Sequence, residues 1–437
     1  MDLIVEPTEY LSGDVVVPGD KSISHRALML GSLSEGQTDI THFLPGLDCL
    51  STLNIFRQLG VQITEHSETS LSIQGVGLNG LRDPGPIRLD CGNSGTTLRL
   101  MAGILAAQSF SSTLTGDEGL TKRPMQRIVT PLREMGADIR GRLAHQDCYP
   151  PIEIEPVSRL KSINYVMPLA SAQLKSSLLL AGLCGQAPVR VHEPLRSRDH
   201  TERMMQAFGV PLKISRYAVE FEPVKSLKAT SVSIPGDISS AAFLMVGAAM
   251  SPGSELWIRG VGINPTRTGI IDLLKQMGAE IEILNVKPGV EPIADLNIIG
   301  KQLVGIDVPL EVVVRAIDEF PAFFIAAASA TGRTTLKGAL ELRVKESDRI
   351  HKMAIGLRQL GITVFEQPDG LIVEGGSFQG GEIDCDGDHR IAMAFAMAAL
   401  QAEGPIKIRK CDNILTSFPN FVELIQSIGL NISRESE

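Results

Sequence analysis

The stretch VVVPGDKSISHRALMLGSLSEG, residues 15–36, recurs in altered form as VSIPGDISSAAFLMVGAAMSPG, residues 232–253. Both copies place a Pro-Gly-Asp turn before a run of small and apolar residues. Pro-Gly pairs mark turns, and a long apolar run with few charges predicts a buried helix. The match therefore predicts two halves of similar construction, with the chain crossing between them at these two turns.

A shorter pattern recurs six times. Each copy is a helix-like stretch that ends in Gly and runs into an alternating segment, as in TLNIFRQLGVQIT and IIDLLKQMGAEIEI. In every copy the residues one and four positions before the Gly are apolar, which places one apolar stripe along a helix. Gly after such a stripe is typical of a left-handed helix end, and the alternation that follows predicts a strand. The six glycines are Gly60, Gly136, Gly209, Gly278, Gly361 and Gly429.

A second helix also recurs six times and is almost uncharged, as in RALMLGSL and IAMAFAMAAL. A helix that is apolar nearly all round is expected to be buried. Its copies start near Ser22, Ser94, Ser171, Ser239, Asp318 and Asp388. Ser and Asp are good N-caps, and the free amides of a helix start attract anions. These units predict two lobes of three α/β units each, with an ordinary doubly wound sheet as the alternative.

Length and composition limit the function classes. At 437 residues and 43% hydrophobic content the chain can fill two cores, and its formal charge of −9 argues against a general nucleic-acid binder. The first residues lack a secretory pattern, and the longest apolar stretch, residues 241–250, is about half of the ~20 residues of a membrane-spanning helix. The six cysteines lack metal-binding spacing. We therefore expect a reduced cytoplasmic protein without zinc, nucleic-acid partner or membrane partner.

Cations and small polar residues stand around the starts of helices in the first half. Such groups can hold a phosphate or a carboxylate, although each cluster alone could be a solvated helix start or a simple N-cap. Gly95 has no Cβ to hold a ligand away from the backbone. The candidates are Lys21, Ser22 and Arg26 in PGDKSISHR, Asn93, Ser94, Gly95 and Thr96 in GNSGTTLR, Lys122 and Arg123 in LTKRPM, Ser171, Ala172 and Gln173 in ASAQ, and Arg198 in RDHTE.

The second half adds carboxylates to the cations. Taken singly, each of these charges is ordinary at a helix start or in a solvated turn. The candidates are Asp318 and Glu319 in IDEFPAFF, Lys345, Glu346 and Arg349 in LRVKESDRI, and Asp388, His389 and Arg390 in CDGDHRIAMAF. In combination with the first half, they favour a site that binds two anionic substrates and moves protons.

Eight motifs in this order resemble the EPSP synthase family over essentially the whole chain. They are PGDKSISHR, GNSGTTLR, LTKRPM, ASAQLKSSLLLAG, RDHTE, DEFP, LRVKESDR and GDHRIAMAF. The resemblance is closest to the second class of these enzymes, in which ASAQ and RDHTE occur. It implies an α/β fold of the two-domain inverted α/β barrel type, with six βαβαββ repeats, three per domain, and closure on substrate. The expected lobes are 19–236 and 1–18 plus 237–437, with crossovers near 17–21 and 234–238.

The resemblance also implies a reaction, the transfer of the enolpyruvyl group of phosphoenolpyruvate to the 5-hydroxyl of shikimate 3-phosphate in aromatic amino-acid biosynthesis. It implies a monomer without a cofactor or metal, inhibited by glyphosate. Shikimate 3-phosphate would be held by Lys21, Ser22, Arg26, Ser171, Ala172, Gln173, Arg198, Asp318 and Lys345. Phosphoenolpyruvate would contact Lys21, Gly95, Arg123, Gln173, Arg349 and Arg390. The secondary candidates are Asn93, Thr96, Glu346 and His389.

The catalytic roles follow from the same resemblance. Asp318 is the candidate base at the hydroxyl, and Glu346, helped by Lys21, is the candidate acid and later base at the methyl carbon. One departure is Thr416 in ILTSFPNF, where many first-class members have Lys, so the resemblance does not carry that phosphoenolpyruvate contact over to this position. Gly95 is retained where some second-class members have Ala, which predicts sensitivity to glyphosate.

Two other functions are compatible with the repeated units. The first is the related transferase that acts on UDP-N-acetylglucosamine, whose hallmark is a reactive Cys in a mobile loop. The matching region here, GDEGLTKRPM, contains no Cys. The second is a noncatalytic protein that binds anions with the same repeats and does not need Asp318 or Glu346.

Overall fold

The computed structural model describes residues 1–144 and 147–435. The chain divides into two compact units. The C-terminal unit consists of Met1–Asp20 and Pro235–Glu437, and the N-terminal unit consists of Lys21–Ile234. Each unit has a hydrophobic core of its own, built from its buried helices and the inner faces of its sheets.

The elements follow one another in a regular order. The strands are β1 (Leu3–Val5), β2 (Ser12–Val16), β3 (Ser34–Thr41), β4 (Gln62–Ser67), β5 (Ser70–Val76), β6 (Arg88–Asp90), β7 (Ser112–Thr115), β8 (Asp138–Ala144), β9 (Asp147–Glu155), β10 (Ile163–Val166), β11 (Val189–His192), β12 (Lys213–Ile214), β13 (Ala218–Phe221), β14 (Leu227–Lys228), β15 (Val232–Ser233), β16 (Glu255–Gly262), β17 (Glu280–Lys287), β18 (Ile293–Ile299), β19 (Arg333–Thr335), β20 (Val364–Gln367), β21 (Gly370–Glu374), β22 (Gly381–Asp384), β23 (Ile406–Arg409) and β24 (Ile432–Arg434). The α-helices are α1 (Lys21–Leu33), α2 (Leu47–Gln58), α3 (Gly95–Leu105), α4 (Gln126–Glu134), α5 (Ala172–Cys184), α6 (His200–Ala207), α7 (Ile238–Met250), α8 (Gly269–Gln276), α9 (Leu310–Val313), α10 (Phe320–Ser329), α11 (Arg349–Gln359), α12 (His389–Ala398) and α13 (Phe421–Ser427). Short 3-10 helices occupy Leu120–Lys122, Leu340–Val344, Ala399–Gln401 and Cys411–Thr416.

The N-terminal unit contains three open sheets. Their strand orders are β14-β3-β5-β4, with β15 also beside β3, then β6-β7-β9-β8, and β10-β11-β13-β12. The second and third sheets belong to continuous βαβαββ repeats, β6-α3-β7-α4-β8-β9 and β10-α5-β11-α6-β12-β13. In the first sheet the edge position that β6 and β10 hold in the other two is taken by β14 and β15. Both pair parallel to β3.

The C-terminal unit also contains three open sheets, with orders β17-β18-β16-β2, β19-β21-β20 and β22-β23-β1-β24. Here β2 pairs parallel to β16, and β1 lies antiparallel between β23 and β24. The prediction of six α/β repeats, three in each half, is confirmed. Within the described residues the six sheets remain separate, and none closes into a barrel.

The two Pro-Gly-Asp turns lie side by side in the C-terminal unit. Gly19 and Gly236 form an antiparallel bridge. The Asp20 amide donates to the Pro235 carbonyl at 2.8 Å, and the Asp237 amide donates to the Pro18 carbonyl at 2.8 Å. The two similar stretches of sequence therefore pair with each other through equivalent backbone atoms.

The six glycines end their helices as expected. Their φ angles lie between 85° and 108°, in the left-handed region that favours Gly. In each copy the residue after the Gly donates its amide to the carbonyl of the residue four positions before the Gly, at 2.9–3.1 Å. This is the bond of a Schellman motif. The acceptor residues are Phe56, Leu132, Met205, Leu274, Leu357 and Ile425, and all are buried.

The starts of the uncharged helices differ from the prediction at α1, α7 and α10. α1 begins at Lys21, so Ser22 lies inside its first turn. Ser94, Ser171 and Asp388 cap α3, α5 and α12 as expected. The cap of α7 is Asp237, because its carboxylate accepts from the Ser239 amide at 2.8 Å and draws that residue into the first turn.

The third difference is α10, which begins at Phe320 rather than near Asp318, since Pro321 favours the first turn of a helix. Every residue of α7 and α12 is buried. No helix in the described part of the chain is long and apolar enough to cross a membrane.

Candidate active site

Two helix starts meet through side chains in the N-terminal unit. Arg99 in α3 donates from Nη1 to Gln173 Oε1 at 2.7 Å, and Gln173 Nε2 donates to Thr96 Oγ1 at 3.0 Å. Arg99 is buried although it carries the only charge in α3. These contacts of Gln173 hold the start of α5 against α3. They join positions that are 74 residues apart for Arg99 and 77 residues apart for Thr96.

Gly95 begins α3 directly beside two guanidinium groups. A Cβ at this position would lie 3.0 Å from Nη1 of Arg99 and 3.2 Å from Nη1 of Arg123. Arg123 Nη2 donates to Asn93 Oδ1 at 2.5 Å, and Asn93 Nδ2 donates to Asp117 Oδ2 at 2.8 Å. The structure thus brings four predicted residues together here, Asn93, Gly95, Arg123 and, through Arg99, Gln173.

Lys21 lies at the start of α1 and pairs with a carboxylate that was not expected from the sequence. Its Nζ lies 2.9 Å from Asp48 Oδ2 in the first turn of α2. Thr97 Oγ1 lies 2.7 Å from Ser94 Oγ and 3.4 Å from the Asp48 carbonyl oxygen. This chain of bonds connects Lys21 to the cap of α3.

Arg26 is buried and joins α1 to α5 and α6. Its Nε donates to Thr201 Oγ1 at 2.7 Å, its Nη2 to Ser176 Oγ at 2.9 Å and its Nη1 to the Ser22 carbonyl at 2.9 Å. These three donor groups contact the protein itself, so Arg26 orders the neighbouring elements in addition to its predicted role at the ligand. Of the remaining candidates, Ser171 caps α5, Ala172 is its first residue, and Arg198 is half-buried in the loop before α6.

The C-terminal unit holds the predicted base between two cations. Asp318 Oδ1 lies 3.2 Å from Lys345 Nζ and 3.5 Å from Arg349 Nη1. The Asp318 carbonyl accepts from Arg390 Nη1 at 2.9 Å. Three segments that are distant in sequence, the start of α10, the start of α11 and the start of α12, therefore converge on Asp318.

Arg349 is the centre of this cluster. Its Nη2 lies 2.5 Å from Glu346 Oε2, its Nε donates to Asp388 Oδ2 at 2.8 Å, and its Nη2 reaches Asp388 Oδ1 at 3.3 Å. The side chain is only 1% exposed. Burial opposes its charge, but Asp388, Glu346 and Asp318 outweigh that effect and raise the pKa of Arg349. One buried cation thus orients both carboxylates predicted to transfer protons.

A second buried ionic cluster adjoins the first. Arg267 Nη2 donates to Ser239 Oγ at 2.6 Å and lies 3.4 Å from Glu319 Oε1, while its Nη1 lies 3.3 Å from Asp20 Oδ2. Ser239 Oγ also contacts Glu319 Oε1, which is 3.9 Å from Arg390 Nη1. Glu319, the residue next to the predicted base Asp318, is therefore held by Arg267. Arg267 also contacts Asp20 of the first Pro-Gly-Asp turn.

Asp237, from the other turn, faces the same arginine at 3.7 Å. Burial and the nearby Asp20 raise the pKa of Asp237 to about 6, although Arg267 and Arg390 act in the opposite direction. This carboxyl group is therefore expected to change its protonation state just below neutral pH.

Thr416 stands where many first-class members have a Lys that contacts phosphoenolpyruvate, and its shorter side chain makes a different contact. It is buried, and its Oγ1 donates to the Asn413 carbonyl at 2.7 Å within its own 3-10 helix. Asn413 Nδ2 in turn contacts the Gly387 carbonyl at 2.6 Å, one residue before the cap of α12. This segment therefore packs against the start of α12, where Asp388 is the cap and His389 and Arg390 are the first two residues.

The sequence reasoning missed Asp48, Arg99 and Arg267. Arg99 had a usable signal, since it is a lone charge in an otherwise apolar helix. Asp48 and Arg267 had none, because each lies in an ordinary polar segment and becomes significant only through its partners. Within residues 1–144 and 147–435 no group of His, Cys, Asp and Glu side chains could hold a metal ion.

Six α/β repeats, with cations beside the starts of several buried helices and carboxylates added in one unit, make up the fold of the enolpyruvyl transferases. The enolpyruvyl transferase NikO of Streptomyces tendae has this fold, with a TM-score of 0.78 over 100% of this chain and 99% of that one. At 17% identity this likeness concerns the fold alone.

The family follows from closer matches. The family model of EPSP synthase (3-phosphoshikimate 1-carboxyvinyltransferase) matches residues 5–425, and the chain belongs to this family. It is 55% identical to the 3-phosphoshikimate 1-carboxyvinyltransferase of Methylococcus capsulatus, over 98% of this chain and 97% of that one. It is 51% identical to that of Legionella pneumophila over both full lengths. The solved EPSP synthase of Acinetobacter baumannii matches over 100% of both chains with 48% identity and a TM-score of 0.88.

Proposed function

We propose that the chain catalyses the reaction of its family, in which the enolpyruvyl group of phosphoenolpyruvate passes to the 5-hydroxyl of shikimate 3-phosphate and phosphate is released. The observation that carries the proposal is that Asp318 and Glu346 both contact one buried cation, Arg349. Two carboxylates on one cation supply a base and an acid at fixed positions, as a reaction that moves two protons requires.

The residues of the N-terminal unit are proposed to bind the two anionic substrates. Arg123 beside Gly95 would contact phosphoenolpyruvate, since the missing Cβ lets an anion approach the guanidinium group and the start of α3. Gln173, held by Arg99 and Thr96, would contact both substrates from the start of α5. Shikimate 3-phosphate would also use Ser22, Ser171, Ala172 and Arg198, with Arg26 ordering the elements that carry them.

Asp318 is proposed as the base at the hydroxyl. Lys345 and Arg349 orient its Oδ1, and Arg390 holds its backbone carbonyl. When the hydroxyl oxygen attacks C2 of phosphoenolpyruvate, Asp318 would take the hydroxyl proton while the methylene carbon receives a proton from elsewhere. The addition product is a tetrahedral intermediate that carries a new methyl group.

Glu346 is proposed as the group that protonates the methylene carbon and later removes a proton from the methyl group. Its Oε2 contacts Arg349, and its side chain is about one quarter exposed. Glu346 takes back the methyl proton as phosphate departs and the double bond is restored. The proton that Asp318 took from the hydroxyl passes to the departing phosphate, so both carboxyl groups return to their starting states. Lys21, together with Arg123, Arg349 and Arg390, would stabilise the charge on carboxylate and phosphate groups as it develops.

A phosphate-release assay with both substrates tests the proposal. Asp318→Asn and Glu346→Gln are each expected to lower kcat by ~10²-fold, the usual contribution of a positioned proton-transfer group. Glu374→Gln is the matched control, because Glu374 pairs with Arg333 in an exposed contact and is predicted to play no part in the reaction. Near-normal kcat in both acid variants would refute their roles.

The same assay separates the alternative functions. Phosphate release with UDP-N-acetylglucosamine but not with shikimate 3-phosphate would indicate the related transferase. Binding of both substrates to the wild-type protein without phosphate release would indicate a noncatalytic anion-binding protein. The cytoplasmic location, the monomeric state and inhibition by glyphosate remain proposals that rest on the family.

A further inference from the structure

A lysine lies fully buried inside α5 of the N-terminal unit. Lys175 is the only charged residue of this helix, and its side chain is 0% exposed. It lies two residues after Gln173 and one residue before Ser176, the partner of Arg26. An ammonium group without water is tolerated only when carboxylates or other acceptors compensate it, so its partners show what it does.

Two buried glutamates face Lys175. Its Nζ lies 2.9 Å from Glu193 Oε1 and 2.7 Å from Glu202 Oε1, and these side chains are 6% and 3% exposed. Burial opposes the positive charge, but the two carboxylates outweigh it and raise the pKa of Lys175. The lysine is therefore charged, and it joins α5 to the loop after β11 and to α6.

Glu193 also holds the loop between β11 and α6 in place. Its second oxygen, Oε2, accepts from the Ser197 amide at 3.1 Å and from Ser197 Oγ at 2.5 Å. Ser197 immediately precedes Arg198. On the other side, Asp199 accepts from Arg203 Nε at 2.8 Å and from Arg196 Nη2 at 3.1 Å. Ser197 is thus held by the buried carboxylate of Glu193, and the buried carboxylate of Asp199 is held by two arginines, while Arg198 itself is half-buried.

We propose that Lys175 is a positioning residue for the phosphorylated acceptor substrate, acting through Glu193 and Ser197 to hold Arg198 in its binding position. This inference rests on the proposed function, in which Arg198 contacts shikimate 3-phosphate. An arginine held in advance binds a phosphate without the entropy cost of ordering its loop on each encounter. The effect concerns binding in the ground state and the transition state alike, so it belongs in KM and not in kcat.

The test compares substitutions of the same chemistry at two buried glutamates. Glu193→Gln offers an amide where Ser197 needs an acceptor, or turns the amide toward Lys175, so the link is broken in either orientation. Its KM for shikimate 3-phosphate is expected to rise ~10-fold, with kcat and the KM for phosphoenolpyruvate within about twofold of wild type. Glu202→Gln leaves the bonds from Glu193 to Lys175 and Ser197 intact, so it is expected to lower stability without this increase in KM.

Lys175 itself is tested by Lys175→Met combined with Glu202→Gln, which removes one charge of each sign. This variant is expected to raise the KM for shikimate 3-phosphate as Glu193→Gln does. Ser197→Ala removes one donor without disturbing the buried charges, so it remains informative if the double variant does not fold. Its KM is expected to rise about threefold. Glu220→Gln, which alters exposed ion pairs on β13, is the control for handling and charge.

Tryptic cleavage after Arg196 and Arg198 gives a measurement that does not depend on turnover. Cleavage in this loop is expected to be faster in Glu193→Gln and Ser197→Ala than in wild type and Glu220→Gln. An unchanged KM for shikimate 3-phosphate in Glu193→Gln and Ser197→Ala overturns the inference, as does an equal rise in the KM for both substrates. Absence of turnover in the wild-type protein would instead contradict the proposed function, and the cleavage rates would still report on the loop.

Discussion

Gly95 is the residue at which one carbon atom is expected to matter most. A Cβ at this position would lie 3.0 Å from Nη1 of Arg99 and 3.2 Å from Nη1 of Arg123, so Gly leaves space beside both guanidinium groups. Both guanidinium groups are also held in place, by Gln173 and Asn93. A methyl group there would have to displace a cation or an approaching anion.

Gly95→Ala is therefore expected to weaken inhibition by glyphosate. We expect the concentration for half-inhibition to rise ~10-fold or more, equivalent to a loss of at least ~1.4 kcal/mol of binding free energy. The KM for phosphoenolpyruvate is expected to rise less. Inhibition curves at fixed phosphoenolpyruvate measure the effect.

Gly376→Ala is the control for this change. A Cβ at Gly376 would meet only Ile362 Cδ1, at an ordinary distance of 3.6 Å, and is expected to leave inhibition unaffected. An inhibition curve that is the same for wild type and Gly95→Ala would show that no anionic inhibitor binds against this helix start.

At the residue scale, the sequence predicts which side chains are functional candidates better than it predicts their partners. Gly95, Arg123 and Gln173 stand in motifs with turn and helix-start signals, so each could be found from its own segment. The contact of Gln173 with Arg99 joins positions 74 residues apart, and the contact of Asp48 with Lys21 joins positions 27 residues apart. Local patterns carry no information about such pairings, which depend on how whole helices pack.

Among the elements, the six helix ends depend on one backbone conformation. At Gly278 φ is +93°, and no atom lies within 4 Å of the position of a Cβ. At Gly361 φ is +85°, and a Cβ would meet the Gln379 side chain at 2.9 Å. The two sites therefore separate the cost of the left-handed conformation from the cost of crowding.

Gly278→Ala is expected to lower the free energy of unfolding by about 1–2 kcal/mol, the cost of the left-handed region for a residue with a Cβ. Gly278→Asn should cost less, because Asn tolerates this conformation. Gly361→Ala should cost somewhat more than Gly278→Ala, since a side chain must also move. Urea denaturation measures these differences, and a Gly278→Ala variant as stable as wild type would show that this helix end rearranges.

The element pattern was predictable because each of its signals is local. The apolar stripe, the terminal Gly and the alternating strand follow one another within about fifteen residues, and the six copies reinforce one another. The start of α7 was less predictable. Asp237 and Ser239 are both good caps, and the structure uses the first because its carboxylate reaches the Ser239 amide, which leaves the Ser239 hydroxyl for Arg267 and Glu319.

For the whole molecule, the sequence and its family resemblance predict the number of repeats and place residues 1–18 with the C-terminal lobe, but they do not predict which strands pair. β2 precedes α1 in the chain but pairs with β16, and β15 precedes α7 but pairs with β3. β1 joins the last sheet beside β24. A strand pattern specifies which face is buried and is silent about which neighbour it pairs with, so these three pairings had to come from the structure.

The pairing of the two Pro-Gly-Asp turns places several carboxylates close together, and this raises the pKa of one of them. They bring Asp20 and Asp237 to the same buried arginine, with Glu319 beside it. Three carboxylates thus share Arg267, and Arg390 is the other cation that acts on Asp237. Desolvation and the repulsion from Asp20 are the reasons why the pKa of Asp237 rises to about 6 from its usual 3.8.

A raised carboxyl pKa in the folded protein makes the folded state bind this proton more tightly than the unfolded chain does. Its stabilising effect is complete below pH 3.8 and is lost as the pH rises through about 6.

Asp237→Asn keeps an acceptor for the Ser239 amide but cannot ionise, so it escapes this loss. Between pH 4.5 and pH 8 we expect the free energy of unfolding of the variant to increase relative to wild type by on the order of 1 kcal/mol, since one pKa unit corresponds to ~1.4 kcal/mol. Urea denaturation at both pH values measures the difference, with Asp384→Asn as an exposed control whose carboxyl pKa is lowered. A difference between Asp237→Asn and wild type that does not change with pH would mean that Asp237 does not titrate in this range because Arg267 compensates its charge fully.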